Sequence, residues 1–274
     1  MKILIPTDFS KLSTVAVHYA TRLAMKLDAE ILLLNVVFIN SPPHALAELK
    51  INQILDKMED NAREDFELLM KEIKKETGNR LKVSYEIIKG FPVEDVVESF
   101  ANHNDINLII IGTKGASGLE KVLLGSNATA VISKSKIPVI TVPEHGRFSS
   151  INHIVYASDM HSVNKEMATL IKFAQFFDAS IHLLHIASPN SKKKFDKENL
   201  KDKLIGKHNY PKISIHIALN DEIEEAIDEY ITRVKADLLA MFTHKPTFFE
   251  KLFGKSVTRE MAFHSWIPLL SIKK

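Results

Sequence analysis

The sequence predicts an α/β protein of two tandem doubly wound domains, each a five-stranded parallel sheet flanked by helices. Two observations support this fold class. Short aliphatic runs with little polar alternation recur along the chain, and segments with helical spacing lie between them, the pattern of parallel strands covered on both faces. The pattern also repeats, because from Leu81 onward the two halves match without gaps at one constant offset, which pairs Leu108 with Leu238 and Thr113 with Thr243.

The repeat divides the chain into two predicted domains, 1–145 and 151–274, joined by the segment EHGRFSS. The opening MKILIPTDFS is echoed by INHIVYASDM, so that an aliphatic strand runs into Asp8 in one copy and Asp159 in the other. Such internal similarity indicates two copies of one structural unit.

In the first copy, the hydrophobic pattern of each segment predicts either a strand or a helix. Aliphatic runs predict strands at 2–8, 30–38, 82–88, 107–112 and 138–142. Helical spacing predicts helices at 12–27, 45–76, 93–103 and 126–134. The long, charged stretch 45–76 has a shorter counterpart at 190–206, so we expect the copies to differ mainly there.

Composition excludes several classes of function. The chain has 274 residues, a net charge of +2 and no cysteine. The absence of cysteine excludes disulfides, thiolate zinc sites and cysteine nucleophiles, and the charge gives no reason to expect a nucleic-acid partner. No apolar run reaches the length of a signal-peptide core or a membrane span, so we expect a cytoplasmic protein with no membrane partner.

The segment IGTKGASGLEKVLLGSNATAV, residues 111–131, holds four of the nine glycines. Ligands of open parallel sheets lie beyond the carboxyl ends of the strands, and the free N–H groups at a helix N-terminus can bind phosphate. Gly112 ends the fourth predicted strand, and Gly125-Ser126 stand where the next helix starts, with Ser126 a candidate cap. These residues favour a phosphate site, and a plain surface loop is the alternative. Asp8 is either a ligand or the cap of the following helix, a role that Ser10 could fill equally well.

The spacing G-x-x-G-x9-G-S at Gly112, Gly115, Gly125 and Ser126, together with Asp8, resembles the ATP-binding members of the universal stress protein family. The resemblance covers the chain as a tandem of two family domains and implies a nucleotide-binding fold of the adenine nucleotide alpha hydrolase-like kind. It implies a site formed by Pro6, Thr7, Asp8, Val37, Ile111, Gly112, Lys114, Gly115, Gly125, Ser126 and Asn127.

The same resemblance assigns the roles. Asp8 would hydrogen-bond the ribose hydroxyls or the base beside them, and Pro6, Thr7 and Val37 would line the adenine pocket. Gly112 and Gly115 would bring backbone amides to the ribose and the phosphates. Gly125, Ser126 and Asn127 would cradle the β- and γ-phosphates. The implied ligand is ATP, with ADP and AMP as alternatives. Whether Mg²⁺ or Mn²⁺ is needed stays open, although a bound triphosphate usually brings such a cation.

The second copy departs from this motif. At the constant offset the three glycines become Phe242, Lys245 and Lys255, and only Asp159 and Ser256 survive. We therefore expect no ATP binding there. The second copy is also rich in histidine, but His161, His185 and His244 lack the spacing of a metal site, so we expect them to be solvated or hydrogen-bonded.

The sequence favours a nucleotide-responsive binding module that is read by an unidentified protein partner. No nucleophile–base pair is evident, so no catalytic residue is assigned. A slow ATPase, a protein that phosphorylates itself on Ser126, and a scaffold that binds no nucleotide are the alternatives. The family resemblance also implies pairing of domains through their last strands, which the segments near 138–143 and 268–272 could satisfy within one chain. A pseudo-dimeric monomer and a homodimer of such monomers are both open. The long helix at 45–76 is the candidate partner surface, although its apolar positions also fit a core role.

Overall fold

The computed structural model describes residues 1–39, 48–113, 126–190, 196–243 and 267–273. The chain divides into two compact units, Met1–Phe148 and Ser149–Lys274.

Five parallel strands form the sheet of the first unit, in the order β3-β2-β1-β4-β5. The strands are β1 (Lys2–Pro6), β2 (Glu30–Val37), β3 (Val83–Lys89), β4 (Leu108–Gly112) and β5 (Val139–Val142). Leu4 of β1 lies opposite Leu32 on one side and Ile109 on the other. Because the chain proceeds in opposite directions from β1 and from β4, the switch point of this sheet falls between these two strands.

Helices flank this sheet and supply the rest of the core. They are α1 (Lys11–Leu27), α2 (Glu48–Thr77), α3 (Val93–His103) and α4 (Ser126–Lys134). The side chain of Ser10 caps α1 by accepting a hydrogen bond from the backbone N–H of Ser13. Asp28 ends α1 in the left-handed conformation. One face of α1, which includes Ala16, Val17 and Ala20, is fully buried, as an amphipathic surface helix requires.

The second unit has the same strand order, β10-β9-β6-β7-β8, and its strand pairs are also parallel. Its strands are β6 (His153–Ala157), β7 (Ser180–Ala187), β8 (Ile213–Leu219), β9 (Leu238–Thr243) and β10 (Leu269–Lys273). Its described helices are α5 (Val163–Gln175), α6 (Lys197–His208) and α7 (Ile223–Val234). The predicted α/β class with parallel sheets is confirmed.

In the described part of the first unit, one predicted bound differs from the structure by more than one residue. The first strand ends at Pro6 rather than at residue 8, because the chain turns at Phe9, whose φ is 59°. The helix predicted at 45–76 is described from Glu48 to Thr77, and residues 45–47 lie outside the described part. It has 30 residues and α6 has 12, so the expected difference between the copies is present. In the described part of the chain, we find no helix with the length and apolar content to cross a membrane.

Candidate functional site

The carboxyl ends of three neighbouring strands form one edge of the first unit. Pro6 ends β1, Val37 ends β2 and Gly112 ends β4, and β1 lies between the other two strands. Ile111 and Val37 are 8% and 3% exposed, so they contribute apolar surface beneath this edge. The strand order therefore brings together the predicted site residues from β1, β2 and β4.

A tight turn follows β1 and carries Asp8. The backbone N–H of Phe9 donates to Thr7 Oγ1 over 3.1 Å, and that of Ser10 donates to Asp8 Oδ1 over 3.1 Å. The alternative that Asp8 caps α1 is excluded, because Ser10 accepts the bond from Ser13 N over 3.2 Å. Asp8 is exposed, so its carboxylate lies where a ligand at the strand ends can reach it.

Thr7 anchors this turn to its neighbours. Its backbone N–H donates to Leu34 O over 2.8 Å, and its backbone oxygen accepts from Asn35 Nδ2 over 2.8 Å. Its hydroxyl shares a hydrogen bond of 3.0 Å with Ser13 Oγ in α1. Thr7 is only 6% exposed, and its polar groups hold the turn in place.

An aromatic stack supports the turn from the side of α2. Phe9 has a positive φ, which is strained for a bulky side chain and persists only where its surroundings hold it. Its ring meets Phe66 edge-on at 4.7 Å, and Phe66 stacks on Tyr85 at 4.4 Å. Phe66 is fully buried, so α2 and β3 together fix the conformation of the residue that follows Asp8.

Gly112 has a packing reason for lacking a side chain. A Cβ at this position would lie 2.9 Å from the backbone oxygen of Leu12 in the first turn of α1. A backbone atom in a helix cannot swing aside as a flexible side chain does. The close approach of α1 to β4 therefore requires glycine here, in addition to any requirement of a ligand.

The remaining predicted site residues lie at the start of α4 or beyond the described part of the chain. Ser126 is the first residue of α4, where the spacing predicted a helix start, and Asn127 is exposed in its first turn. Lys114, Gly115 and Gly125 lie outside the described residues.

Sequence reasoning missed Asn35, Ser13 and Phe66, which position the turn. Asn35 had a visible signal, since it is the one polar residue inside the apolar run ILLLNVV. Ser13 and Phe66 had none, because small polar and aromatic residues are common in helices that pack against a sheet.

Comparison with known proteins identifies the family. The model of the universal stress protein family matches residues 1–143. The chain belongs to this family. Two universal stress proteins of Methanocaldococcus jannaschii are similar to it. One is 36% identical over 148 residues, which cover 52% of this chain and 81% of the relative. The other is 31% identical over 152 residues, which cover 52% of this chain and 93% of the relative.

The fold of the whole chain also has a counterpart. The crystal structure of a universal stress protein from Archaeoglobus fulgidus matches 100% of this chain and 96% of its own length, with a TM-score of 0.70. Its sequence is 18% identical, so the likeness concerns the fold alone.

The second unit, which lies beyond the matched residues of the family model, keeps the turn after its first strand. Met160 has a φ of 66° and its N–H donates to Ser158 Oγ over 3.1 Å. The N–H of His161 donates to Asp159 Oδ1 over 2.9 Å, as Ser10 N does to Asp8. His185 Nδ1 contacts Ser158 O at 2.9 Å. The Asp8-type turn is thus a feature of both units and does not by itself distinguish a binding site.

The position of Gly112 does distinguish the two units. Its counterpart Phe242 is 7% exposed and packs edge-on against Tyr156, with ring centroids 5.5 Å apart. The Tyr156 hydroxyl donates to Glu166, and Ser158 Oγ donates to the Tyr156 hydroxyl over 3.0 Å. By strand and helix position, Tyr156 and Glu166 correspond to Ile5 and Ala16. Large side chains therefore stand in the second unit where the first has small or aliphatic ones.

Several histidines of the second unit are hydrogen-bonded through their side chains, whereas the buried Nε2 of His208 has no partner among the described residues. His185 binds Ser158 O, and His182 contacts both His153 and Ser214, at 3.1 Å and 2.8 Å. Burial, and then the charge of His153, lower the pKa of His182 below its ordinary value. Within the described ranges, no three histidine or carboxylate residues are grouped as a metal site. His244 lies outside those ranges.

Proposed function

We propose that the first unit binds one adenine nucleotide, ATP first among them, and that the protein acts as a nucleotide-dependent binding module for a protein partner. The observation that carries the proposal is the combination, at one edge of the first unit, of the exposed Asp8 and of Gly112, the first residue of the glycine motif, at the end of β4. The second unit keeps the first feature and lacks the second.

The chemistry of this edge suits a nucleoside. A carboxylate that accepts hydrogen bonds from two neighbouring hydroxyls forms charge-assisted bonds, which are stronger than neutral ones. Asp8 is exposed and its turn is fixed by Thr7 and Ser10, so it is prepared to receive a ribose without rearrangement. Pre-organised groups bind with less loss of conformational entropy.

The start of α4 suits phosphates. It follows the glycine segment, and its first turn contains no acidic residue. The free N–H groups and the dipole of a helix N-terminus favour negative charge. In the ATP-binding members that the motif resembles, this region carries the phosphates, and Gly115, Gly125 and Ser126 supply the same residue types here.

Calorimetric titration with ATP and Mg²⁺ tests the proposal. We expect one site per chain in the wild type, and loss of binding in Asp8→Ala and in Gly115→Val. The matched control is Asp159→Ala, which removes the corresponding carboxylate of the second unit and should leave binding unchanged. Wild-type stoichiometry and affinity in Asp8→Ala would refute the assignment of the site.

Two further measurements define the function. Titrations with ADP and AMP rank the nucleotides, and phosphate release under the same conditions separates binding from turnover. We expect binding without sustained release of phosphate, because the sequence shows no nucleophile–base pair at the motif. Multiple turnovers per chain would identify an ATPase instead.

A further inference from the structure

We propose that Asn35 is a positioning residue for the nucleotide site, because it holds the backbone carbonyl that precedes Asp8. The proposal rests on the proposed function of the first unit. Asn35 lies in β2 and is 9% exposed, and its Nδ2 donates to Thr7 O over 2.8 Å. A polar side chain at a buried strand position has a cost unless it is hydrogen-bonded, and here its partner is the peptide that leads into Asp8.

This bond fixes the orientation of Asp8. The peptide group between Thr7 and Asp8 contains the carbonyl that Asn35 binds, and the peptide before Thr7 is held by the bond from Thr7 N to Leu34 O. Hydrogen bonds to β2 therefore hold both the peptide plane before Thr7 and the peptide plane after it. Without the bond from Asn35, the second plane can rotate and carry the exposed carboxylate of Asp8 away from the ribose hydroxyls.

The second unit holds the corresponding carbonyl in the same way, which supports the part of the assignment that concerns the turn. There His185 contacts Ser158 O at 2.9 Å, and a carbonyl oxygen only accepts, so His185 Nδ1 is the donor. The surroundings correspond as well, since Asn35 lies opposite Ile87 in the register of β2 and β3, and His185 lies opposite Ile217 in β7 and β8. Two different side chains thus perform one task, which is to donate to the carbonyl before the aspartate.

A role in core stability alone makes a different prediction. In that case any change at Asn35 would affect binding only as far as it destabilises the unit, and an equally destabilising change elsewhere would affect binding as much. The positioning role requires instead that a donor at this place restores binding. In the second unit the corresponding donor is a histidine, so histidine is the residue to introduce at position 35.

The experiment compares ATP affinity and thermal unfolding in the full chain with four substitutions. Asn35→Leu removes the donor, and we expect it to weaken ATP binding at least about tenfold, a loss of about 1.4 kcal/mol. Asn35→His restores a donor and should return the dissociation constant to within about threefold of the wild type. His185→Leu makes the same change in the second unit and should leave ATP affinity unchanged. Val97→Ala removes buried apolar contacts in α3, a helix that contributes no residue to the turn, and should lower stability without changing affinity.

The outcomes separate the two proposals. If the wild type binds no ATP, the proposed function fails, and the positioning role fails with it. If the wild type binds and folded Asn35→Leu binds equally well, the role of Asn35 alone is overturned. Folded Asn35→His without binding also overturns it. Where Asn35→Leu does not fold, Asn35→Ala replaces it under the same criteria.

Discussion

Phe242 and Gly112 occupy corresponding places in two units that share one strand order. Phe242 packs edge-on against Tyr156, whereas the missing side chain of Gly112 leaves room for the backbone oxygen of Leu12, which lies 2.9 Å from where a Cβ would stand. The turn after the first strand is retained in both units. The difference in function that we propose between the units therefore lies in the end of the fourth strand and the segment that follows it.

Phe242→Ala should destabilise the second unit without creating a second nucleotide site. Removal of a buried phenylalanine costs about 3–5 kcal/mol. Binding stays at one nucleotide per chain because Lys245 and Lys255 still replace two glycines of the motif. Urea unfolding measures the first effect and calorimetric stoichiometry the second. A stoichiometry of two in the variant would show that Phe242 alone blocks the second unit.

Gly112→Ala should lower the stability of the first unit by about 1–3 kcal/mol, the range for overpacking a closely packed site. The added Cβ meets the backbone of α1, so either α1 or β4 has to shift. Gly206→Ala is the matched control, since a Cβ at Gly206 in α6 has no neighbour within 4 Å. That control should stabilise a helix by about 0.5–1 kcal/mol. Equal stability of Gly112→Ala and wild type in denaturant unfolding would contradict the packing role.

The sequence was sufficient to predict the strands, but it was insufficient to predict which contacts hold the sheet edge at which we propose the site. Aliphatic runs such as LIIIG locate β4 because a parallel strand is buried on both faces. The end of β1 was misplaced by two residues, because the positive φ of Phe9 depends on long-range contacts with Phe66. The bond between Asn35 and Thr7 likewise joins residues far apart in sequence. Hydrophobic periodicity shows which residues are buried, but it does not show which carbonyl group a buried amide side chain binds.

Phe66→Ala should loosen the turn that carries Asp8 as well as lower stability. The substitution removes both ring contacts, to Phe9 and to Tyr85, and costs about 3–5 kcal/mol. Amide hydrogen exchange at Phe9 and Ser10 measures opening of the turn directly, because their N–H groups donate to Thr7 Oγ1 and Asp8 Oδ1. We expect faster exchange at both amides. The corresponding amides of Met160 and His161, in the second unit, serve as the internal control and should keep their rates.

Mild acid should destabilise the second unit through His182. Burial and the charge of His153 set its pKa below the ordinary value of 6.5, so the unfolded chain binds a proton at a higher pH than the folded one. The stability that this group contributes is therefore complete above pH 6.5 and is lost as the pH falls through the folded pKa. Burial and the charges of Arg233 and Lys197 lower the pKa of His216 in the same unit, which adds a loss of the same sign.

Urea unfolding at about pH 7.5 and about pH 5.5 measures this loss. The partners that face His182 are the imidazole of His153, the hydroxyl of Ser214 and the ring of Tyr230, so no carboxylate among these contacts stabilises its charged form. His182→Gln removes the titrating group, and we expect it to reduce the difference in unfolding free energy between the two pH values. His103→Gln, in the first unit, is the matched control and should leave that difference unchanged. If His182→Gln and the wild type lose the same stability on acidification, the acid response of the second unit arises from other groups.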